Sequence, residues 1–148
     1  MTQPGQLYDW TCSAASLDWL KRAAGLVTTD DIYGSREATT YQIGYPDQIN
    51  PQYGLMDGSG FALQDVLATN YGVGSDQDWL DFDAAYSVAA SAPGMCSGAA
   101  WYHWVGIRGV QGDTIWIANS APGYKSVWSN LSRSDWSRLG GFSVVWLT

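Results

Sequence analysis

Charge is scarce in this chain of 148 residues. Only 14% of its residues are Asp, Glu, Lys or Arg, and the formal net charge is −7 with its one histidine neutral. The seven basic residues form no run and no basic helix face. Nucleic-acid binding and attraction to an acidic membrane surface both depend on such clusters of Lys and Arg. We therefore expect neither nucleic acid nor membrane among the partners.

Long apolar runs are also missing. A membrane-spanning helix needs about 18 consecutive apolar residues, and no stretch of the sequence is that long. The N-terminus lacks the basic-then-apolar pattern of a signal peptide. We expect a soluble protein that is made in the cytoplasm, without membrane insertion. Action at a bacterial cell wall would then need another export route or a larger parent protein.

Thiols and imidazoles are few: the chain has two cysteines, Cys12 and Cys96, and a single histidine, His103. Two cysteines make no disulfide framework, and the spacing of these residues matches no metal-ligand pattern. We therefore expect no metal and no cofactor. A single cysteine with a histidine far downstream is instead the pattern of a cysteine–histidine catalytic pair.

Aromatic residues, by contrast, are abundant, with nine tryptophans and nine tyrosines. They favour either an aromatic core or a groove that grips peptide or sugar, and the composition leaves both readings open. The apolar content of 46% is ordinary for a globular protein. With this length it predicts one domain, residues 1–148, that buries its own core.

The stretch around Cys12 carries the strongest chemical signal. Gln6 precedes the cysteine by six positions, and a small-residue, apolar segment follows it. A thiol at a helix N-terminus faces the positive end of the helix dipole, which favours the thiolate. The Gln6 amide could donate a hydrogen bond to a developing oxyanion. The alternative is a buried free cysteine at a helix start, because free cysteine is among the most buried residue types.

Periodicity predicts helices in the first part of the chain. The predicted segments are a first helix from Trp10 or Cys12 to Ala24, a short helix from Ser35 through Ile43 inside an irregular connection over 26–56, a helix from Phe61 to Asn70 capped by Ser59, and a helix from Phe82 to Ala92 capped by Asp81. Cys96 is predicted to lie in a loop.

The final third favours strands over 99–108, 114–119 and 142–147, with a hairpin turn between the first two. A short helix capped by Ser132 is predicted to run through Leu139, with Asp135 in the capping-box position. The layout is α+β: the N-terminal helix that carries Cys12 packs on a C-terminal antiparallel sheet.

The same hairpin places His103 and Asn119 on neighbouring strands or their ends. Asn119 could then reach the His103 ring and fix its tautomer and orientation. Cysteine attack needs a nucleophile, a base, a group that orients the base, and an oxyanion donor, and Cys12, His103, Asn119 and Gln6 fill these roles. Taken singly, His103 is better interpreted as a satisfied core histidine, and Asn119 as a strand-ending turn residue. Neither a serine elbow nor a paired-carboxylate spacing offers a competing site.

Gln6-x5-Cys12 followed by a helix resembles the papain-like cysteine peptidases, in which Gln, Cys, His and Asn or Asp occur in this order. The segment from His103 to Asn119 is similar to the bacteriocin-processing branch, the double-glycine leader peptidases. Related domains occur in lysins and tail-associated proteins of actinobacterial phages, which the Asn-Ser-Ala-Pro-Gly-Tyr segment 119–124 resembles.

The resemblance implies a papain-like cysteine peptidase with Cys12 as nucleophile, His103 as base, Asn119 as its orienting residue and Gln6 as oxyanion donor. Ser13 stands where the family often has glycine, and Asn119-Ser120 replaces the Asp-Pro of the bacteriocin-processing branch. The implied reaction is amide hydrolysis in a peptide, with bacterial cell-wall peptide as the expected substrate.

We expect the groove walls to come from aromatic residues near these motifs and the chain to be a monomer. The predicted substrate-binding residues are Trp10, Trp101, Trp104 and Tyr124. Two other functions remain open: a non-catalytic phage structural or binding module that keeps the fold, and a transglutaminase-like acyltransferase that uses the same three residues.

Overall fold

The computed structural model describes residues 10–101, 103–119 and 129–148. The helices there are α1 (Cys12–Ala23), α2 (Ile32–Ile43), α3 (Phe61–Tyr71), α4 (Phe82–Ser91) and α5 (Arg133–Arg138). The strands are β1 (Ile49–Asn50), β2 (Gly54–Leu55), β3 (Ser75–Leu80), β4 (Gly94–Gly98), β5 (Trp104–Gln111), β6 (Thr114–Ala118), β7 (Asn130–Leu131) and β8 (Phe142–Leu147). Within these residues no helix combines the length and apolarity that crossing a membrane requires.

Six of the strands form one antiparallel sheet in the order β3-β8-β4-β5-β6-β7, and β1 and β2 pair as a separate small hairpin. The predicted α+β class is confirmed, since an N-terminal helical segment with Cys12 packs on this sheet. The centre of the sheet is β4, which pairs with β5 on one side and β8 on the other.

Side chains alternate between the two faces of the sheet along each strand, and both faces are buried against helices. Met95 packs with α1 and α3 on one face, while the adjacent Cys96 belongs to the cluster on the other face, with Phe82 of α4 and Trp136 of α5. The sheet is thus a layer between α1–α3 and α4–α5. The first of these two interfaces brings α1 to the site described below.

Helix α1 is buried along most of its length, which its modest hydrophobicity does not suggest. Its buried charged side chains have partners: Lys21 donates to Thr39 Oγ1 (2.7 Å), Gln42 Oε1 (3.0 Å) and the Tyr71 hydroxyl (3.0 Å) of the neighbouring helices. Asp18, also buried, pairs with Arg22 at 3.1 Å. Buried charges of this kind are tolerated only when partnered.

Several local predictions are wrong in detail, among them the strand over 99–108, because β5 runs from Trp104 to Gln111. Cys96 lies in the fully buried strand β4, and the strand β3 was not predicted. Helix α2 begins at Ile32 rather than Ser35, because the Asp31 side chain caps it by accepting the Gly34 N–H at 3.0 Å. The cap of α3 is Gly60 and not Ser59.

The other predictions for helix ends agree with the structure more closely. The Asp81 side chain accepts the Ala84 N–H at the start of α4. Ser132 and Asp135 form the full reciprocal capping box of α5, and β8 spans the predicted residues.

Candidate active site

The start of α1 sets the position of Cys12. This residue is the first of the helix, and Thr11 at the N-cap makes no side-chain capping bond. The N–H groups of a first helical turn have no partner within the helix, so they are available to side chains, water or a ligand. Cys12 is half-buried, and its sulfur lines an open cleft.

A glycine in β5 allows the helix to come this close. A Cβ built on Gly106 would overlap the six-membered ring of Trp19, so the Trp19 side chain of α1 packs directly on the strand backbone. Residues 13–15, near the start of α1, are all small, and all three are buried. The close approach of α1 to β5 therefore depends on glycine and other small residues, which have no catalytic side chain.

His103 and Asn119 meet at the end of the β5–β6 hairpin. His103 Nε2 lies 2.8 Å from Asn119 Oδ1. The amide oxygen only accepts hydrogen bonds, so Nε2 carries the hydrogen and Nδ1 is the ring nitrogen left to accept a proton. His103 is 2% exposed, and the Trp101 ring packs edge-on against it with centroids 5.1 Å apart.

The sulfur of Cys12 lies against the backbone of the residue that follows this histidine. Cys12 Sγ accepts a hydrogen bond from the backbone N–H of Trp104 at 3.4 Å, across 92 positions of sequence. Trp104 directly follows His103 and begins β5. The fold thus brings together the helix that carries the thiol, the strand end that carries the imidazole, and the amide that holds the imidazole.

A cleft of about 610 Å³ opens over Cys12. Among the described residues its lining contains no charged side chain; it consists of Trp10, Cys12, Pro51, Gln52, Tyr53, Gly54, Leu55, Gly58, Trp79, Ser97, Gly98, Ala99 and Trp104. Such a wall of aromatic rings, glycines and backbone suits an uncharged, extended peptide segment.

The predicted wall residues divide into three groups. Trp10 and Trp104 line the cleft. Trp101 is 5% exposed and packs behind the His103 ring, in the cluster with Phe142. Tyr124 lies outside the described residues, as does Gln6, the predicted oxyanion donor.

Ser13, the residue after Cys12, has no exposed surface, and its hydroxyl makes no hydrogen bond within the described part of the chain. It points into the protein and not into the cleft, where the lining contains Cys12 but not Ser13.

Sequence reasoning missed the far wall of the cleft. Trp79, which is 52% exposed, comes from the strand β3, and Tyr53, which is 65% exposed, from the β1–β2 turn. Ser97 and Gly98 end the strand β4. The sequence offered one indication that Trp79 has a binding role: a large aromatic residue stands among acidic and polar ones in this segment.

No cluster of three or more His, Cys, Asp or Glu side chains that could hold a metal ion occurs in the ranges that the structure describes. Burial raises the pKa of the other thiol, Cys96, far above its usual range. Cys96 therefore stays protonated, and of the two thiols only that of Cys12 faces the cleft.

No protein-family model and no curated protein matches this sequence. Solved structures do match the fold. A double-glycine-motif protease from an AMS/PCAT transporter, solved with its leader peptide, superimposes with a TM-score of 0.69 at 16% identity, over 97% of this chain and 89% of that one. A protein of Bacillus anthracis described as a C39-like peptidase gives 0.64 at 15% identity, over 98% and 93%. The chain therefore has the papain-like α+β fold of the double-glycine peptidases.

Proposed function

We propose that this protein is a cysteine peptidase in which Cys12, His103 and Asn119 act together. One observation carries the proposal: the Cys12 sulfur is hydrogen-bonded to the residue that follows His103, while the His103 ring is held by Asn119. These are the elements that an activated thiol needs, namely a nearby base and a group that orients it. The fold shared with double-glycine peptidases agrees with this chemistry.

The reaction begins with transfer of the Cys12 thiol proton to His103 Nδ1. The thiolate then attacks the amide carbonyl carbon, and the carbonyl electron pair moves to oxygen. The oxyanion accepts the backbone N–H of Cys12 at the helix N-terminus and the Gln6 amide, as in other acyl-transfer sites. When the intermediate collapses, the C–N bond breaks and His103 gives its proton to the leaving amine.

A thioester on Cys12 remains, and water completes the cycle. His103 takes a proton from the water, whose oxygen attacks the thioester carbonyl. The C–S bond then breaks, and the sulfur recovers its proton from the imidazolium. Asn119 Oδ1 holds Nε2–H through both halves, so that Nδ1 faces the reacting atoms each time.

The proposed substrate is a peptide of the bacterial cell wall, cleaved by a lysin-type domain. The uncharged cleft at Cys12 supports a peptide with small residues at the scissile bond, as stem peptides and cross-bridges have. Trp10 and Trp104 would flank that segment, and Trp101 would hold the base instead of touching substrate.

The two cysteines provide a clean first test. Iodoacetamide at neutral pH should add one group to the native protein, at Cys12, and none to Cys12→Ala, because the remaining thiol is buried and protonated. His103→Ala should slow the labelling. Labelling that is indifferent to His103 would contradict a catalytic pair.

The second test measures hydrolysis. Wild-type protein should release new amino groups from a defined peptide library and from purified cell walls, whereas Cys12→Ser should release none. Equal release by both proteins would refute the assignment. Transfer of the acyl group to an added amine, in place of hydrolysis, would instead indicate the acyltransferase function.

A further inference from the structure

A second cavity shares Trp10 with the cleft. Its volume is about 480 Å³, and its lining is rich in aromatic and acidic side chains: Trp10, Thr11, Asp31, Tyr33, Gly34, Glu37, Thr40, Tyr41 and Tyr45. Because Trp10 lines both cavities, the second one adjoins the cleft at this ring. We call this second cavity the Trp10–Tyr45 pocket.

The helical repeat of α2 builds one wall of the pocket. Tyr33, Glu37 and Tyr41 are spaced by four residues, which places them on one face of a helix. That face is exposed, with Tyr33 at 59% and Tyr41 at 61% of full exposure. Arg36, next to this face, is buried instead, within electrostatic reach of Asp18 and Arg22 of α1 and of Tyr33. The tyrosines are therefore not the core-facing stripe of this helix.

The remaining walls are aromatic rings that hold one another in place. Trp10 stacks on Tyr45 with centroids 5.8 Å apart and planes at 25°, and Tyr41 meets Tyr45 edge-on at 5.7 Å. Tyr45 is still 40% exposed. Ring faces held in this way attract a cation through their quadrupole.

The charge of the pocket is wholly negative. Asp31 and Glu37, the single glutamate of the chain, both line it, and no Lys or Arg of the described residues does. Neither carboxylate forms an ion pair within the described ranges, where the three ion pairs use Asp18, Asp83 and Asp135. Asp31 is fixed in place, because one of its oxygens accepts the Gly34 N–H.

We infer that the Trp10–Tyr45 pocket is a specificity subsite that binds a positively charged side chain of the peptide substrate. It recognises a lysine-like amine through the faces of its aromatic rings together with Asp31 and Glu37. The inference rests on the proposed function for the identity of the ligand as substrate. A neutral sugar would stack on the same rings, so N-acetylglucosamine is the competing ligand in the test below.

Binding is tested without catalysis, in the full chain carrying Cys12→Ala. Acetyl-Gly-Lys-Gly-amide and its norleucine analogue are titrated separately, with the backbone amide NMR signals of Tyr33, Gly34 and Tyr41 as reporters. The lysine peptide should bind about two- to fivefold more tightly, which is the ~0.5–1 kcal/mol scale of a cation at exposed aromatic faces. Equal binding of the two peptides would overturn the inference.

Charge removal supplies the matched controls. Glu37→Gln and Asp31→Asn should each abolish most of the lysine preference; asparagine caps a helix as well as aspartate, so α2 stays intact. Asp76→Asn, an exposed site on β3 away from both cavities, should leave it unchanged. A lysine preference that survives the double substitution Asp31→Asn/Glu37→Gln, or pocket shifts caused by N-acetylglucosamine without any lysine preference, would refute the cation subsite.

Cleavage of the peptide library separates this inference from the proposed function. Wild-type protein should favour lysine over norleucine at one fixed position from the scissile bond, and Glu37→Gln should remove that preference but keep the cut site. Cleavage without charge preference would overturn the subsite alone. No cleavage together with lysine-selective binding would overturn the peptidase alone.

Discussion

Removal of the Asn119 side chain is the most informative perturbation of the site. Its amide oxygen lies 2.8 Å from His103 Nε2. During the proposed reaction this bond joins a neutral acceptor to a charged imidazolium, and hydrogen bonds to charged groups contribute about 1.5–3 kcal/mol. Each 1.4 kcal/mol is a factor of ten. Asn119→Ala should therefore lower kcat/KM by about 10- to 100-fold.

The effect should fall on kcat and leave KM nearly unchanged, because Asn119 acts through the imidazole and does not line the cleft. Steady-state kinetics on a library-derived peptide measure both constants. Asn119→Asp keeps an acceptor at the same place and should recover most of kcat. Its carboxylate favours the charged ring, so the limb of the pH–rate profile that reports the imidazolium should move to higher pH.

The control for misfolding is the melting temperature, which should shift little, since Asn119 follows the end of β6 and is only half-buried. Unchanged kcat/KM in Asn119→Ala, with the protein folded, would refute the argument that this amide orients the base. Loss of activity in Asn119→Asp as complete as in Asn119→Ala would refute its role as an acceptor.

Three further outcomes follow from the structure. Gly106→Ala should push Trp19 off the strand and reduce both activity and melting temperature, whereas Gly112→Ala, in an open turn, should alter stability alone. Cys96 should resist iodoacetamide in the native state even at pH 9 and react once the protein is unfolded, because burial raises its pKa. Ser132→Ala should cost about 1 kcal/mol of unfolding free energy at pH 7 by urea denaturation. Partial burial raises the pKa of Asp135, but its bonds to Ser132 and Arg138 outweigh this, and the pKa is lowered overall. The stability that this cap contributes is therefore present above the usual pKa range of an aspartate and is lost as the pH falls through the lowered pKa.

Local signals predicted those parts of the fold that depend on neighbours in sequence. The capping box of α5 needs only Ser132 and Asp135, three positions apart. The β5–β6 hairpin likewise has a short turn, and its spacing predicted that Asn119 reaches His103.

Strands that pair with distant segments were not predictable in the same way. The central strand β4 is short, fully buried and bounded by glycines at both ends. A Cβ on Gly94 would meet the Val145 carbonyl of the neighbouring strand β8 at 2.8 Å. The sequence of β4, Gly-Met-Cys-Ser-Gly, lacks the branched and aromatic residues by which strands are recognised. Strand β3 is an edge strand with acids at alternate, exposed positions. Aspartate is depleted in strands, so this segment does not predict one.

The site was predictable as a set of residues and not as a surface. Residue type and order suggested Cys12 and His103, but the sulfur's bond to the Trp104 N–H depends on how α1 crosses β5. The cleft wall from Trp79 arises from tertiary packing alone, and the Trp10–Tyr45 pocket needs that packing to bring Trp10 and Tyr45 to the helical repeat of α2.

The long sequence separation between Cys12 and Trp104 has a consequence for the newly made chain. A ribosome delivers the proposed nucleophile first, and about ninety further residues emerge before its base and the hairpin that orients it exist. The proposed catalytic pair therefore cannot form until the late-synthesised β5–β6 hairpin docks beside α1.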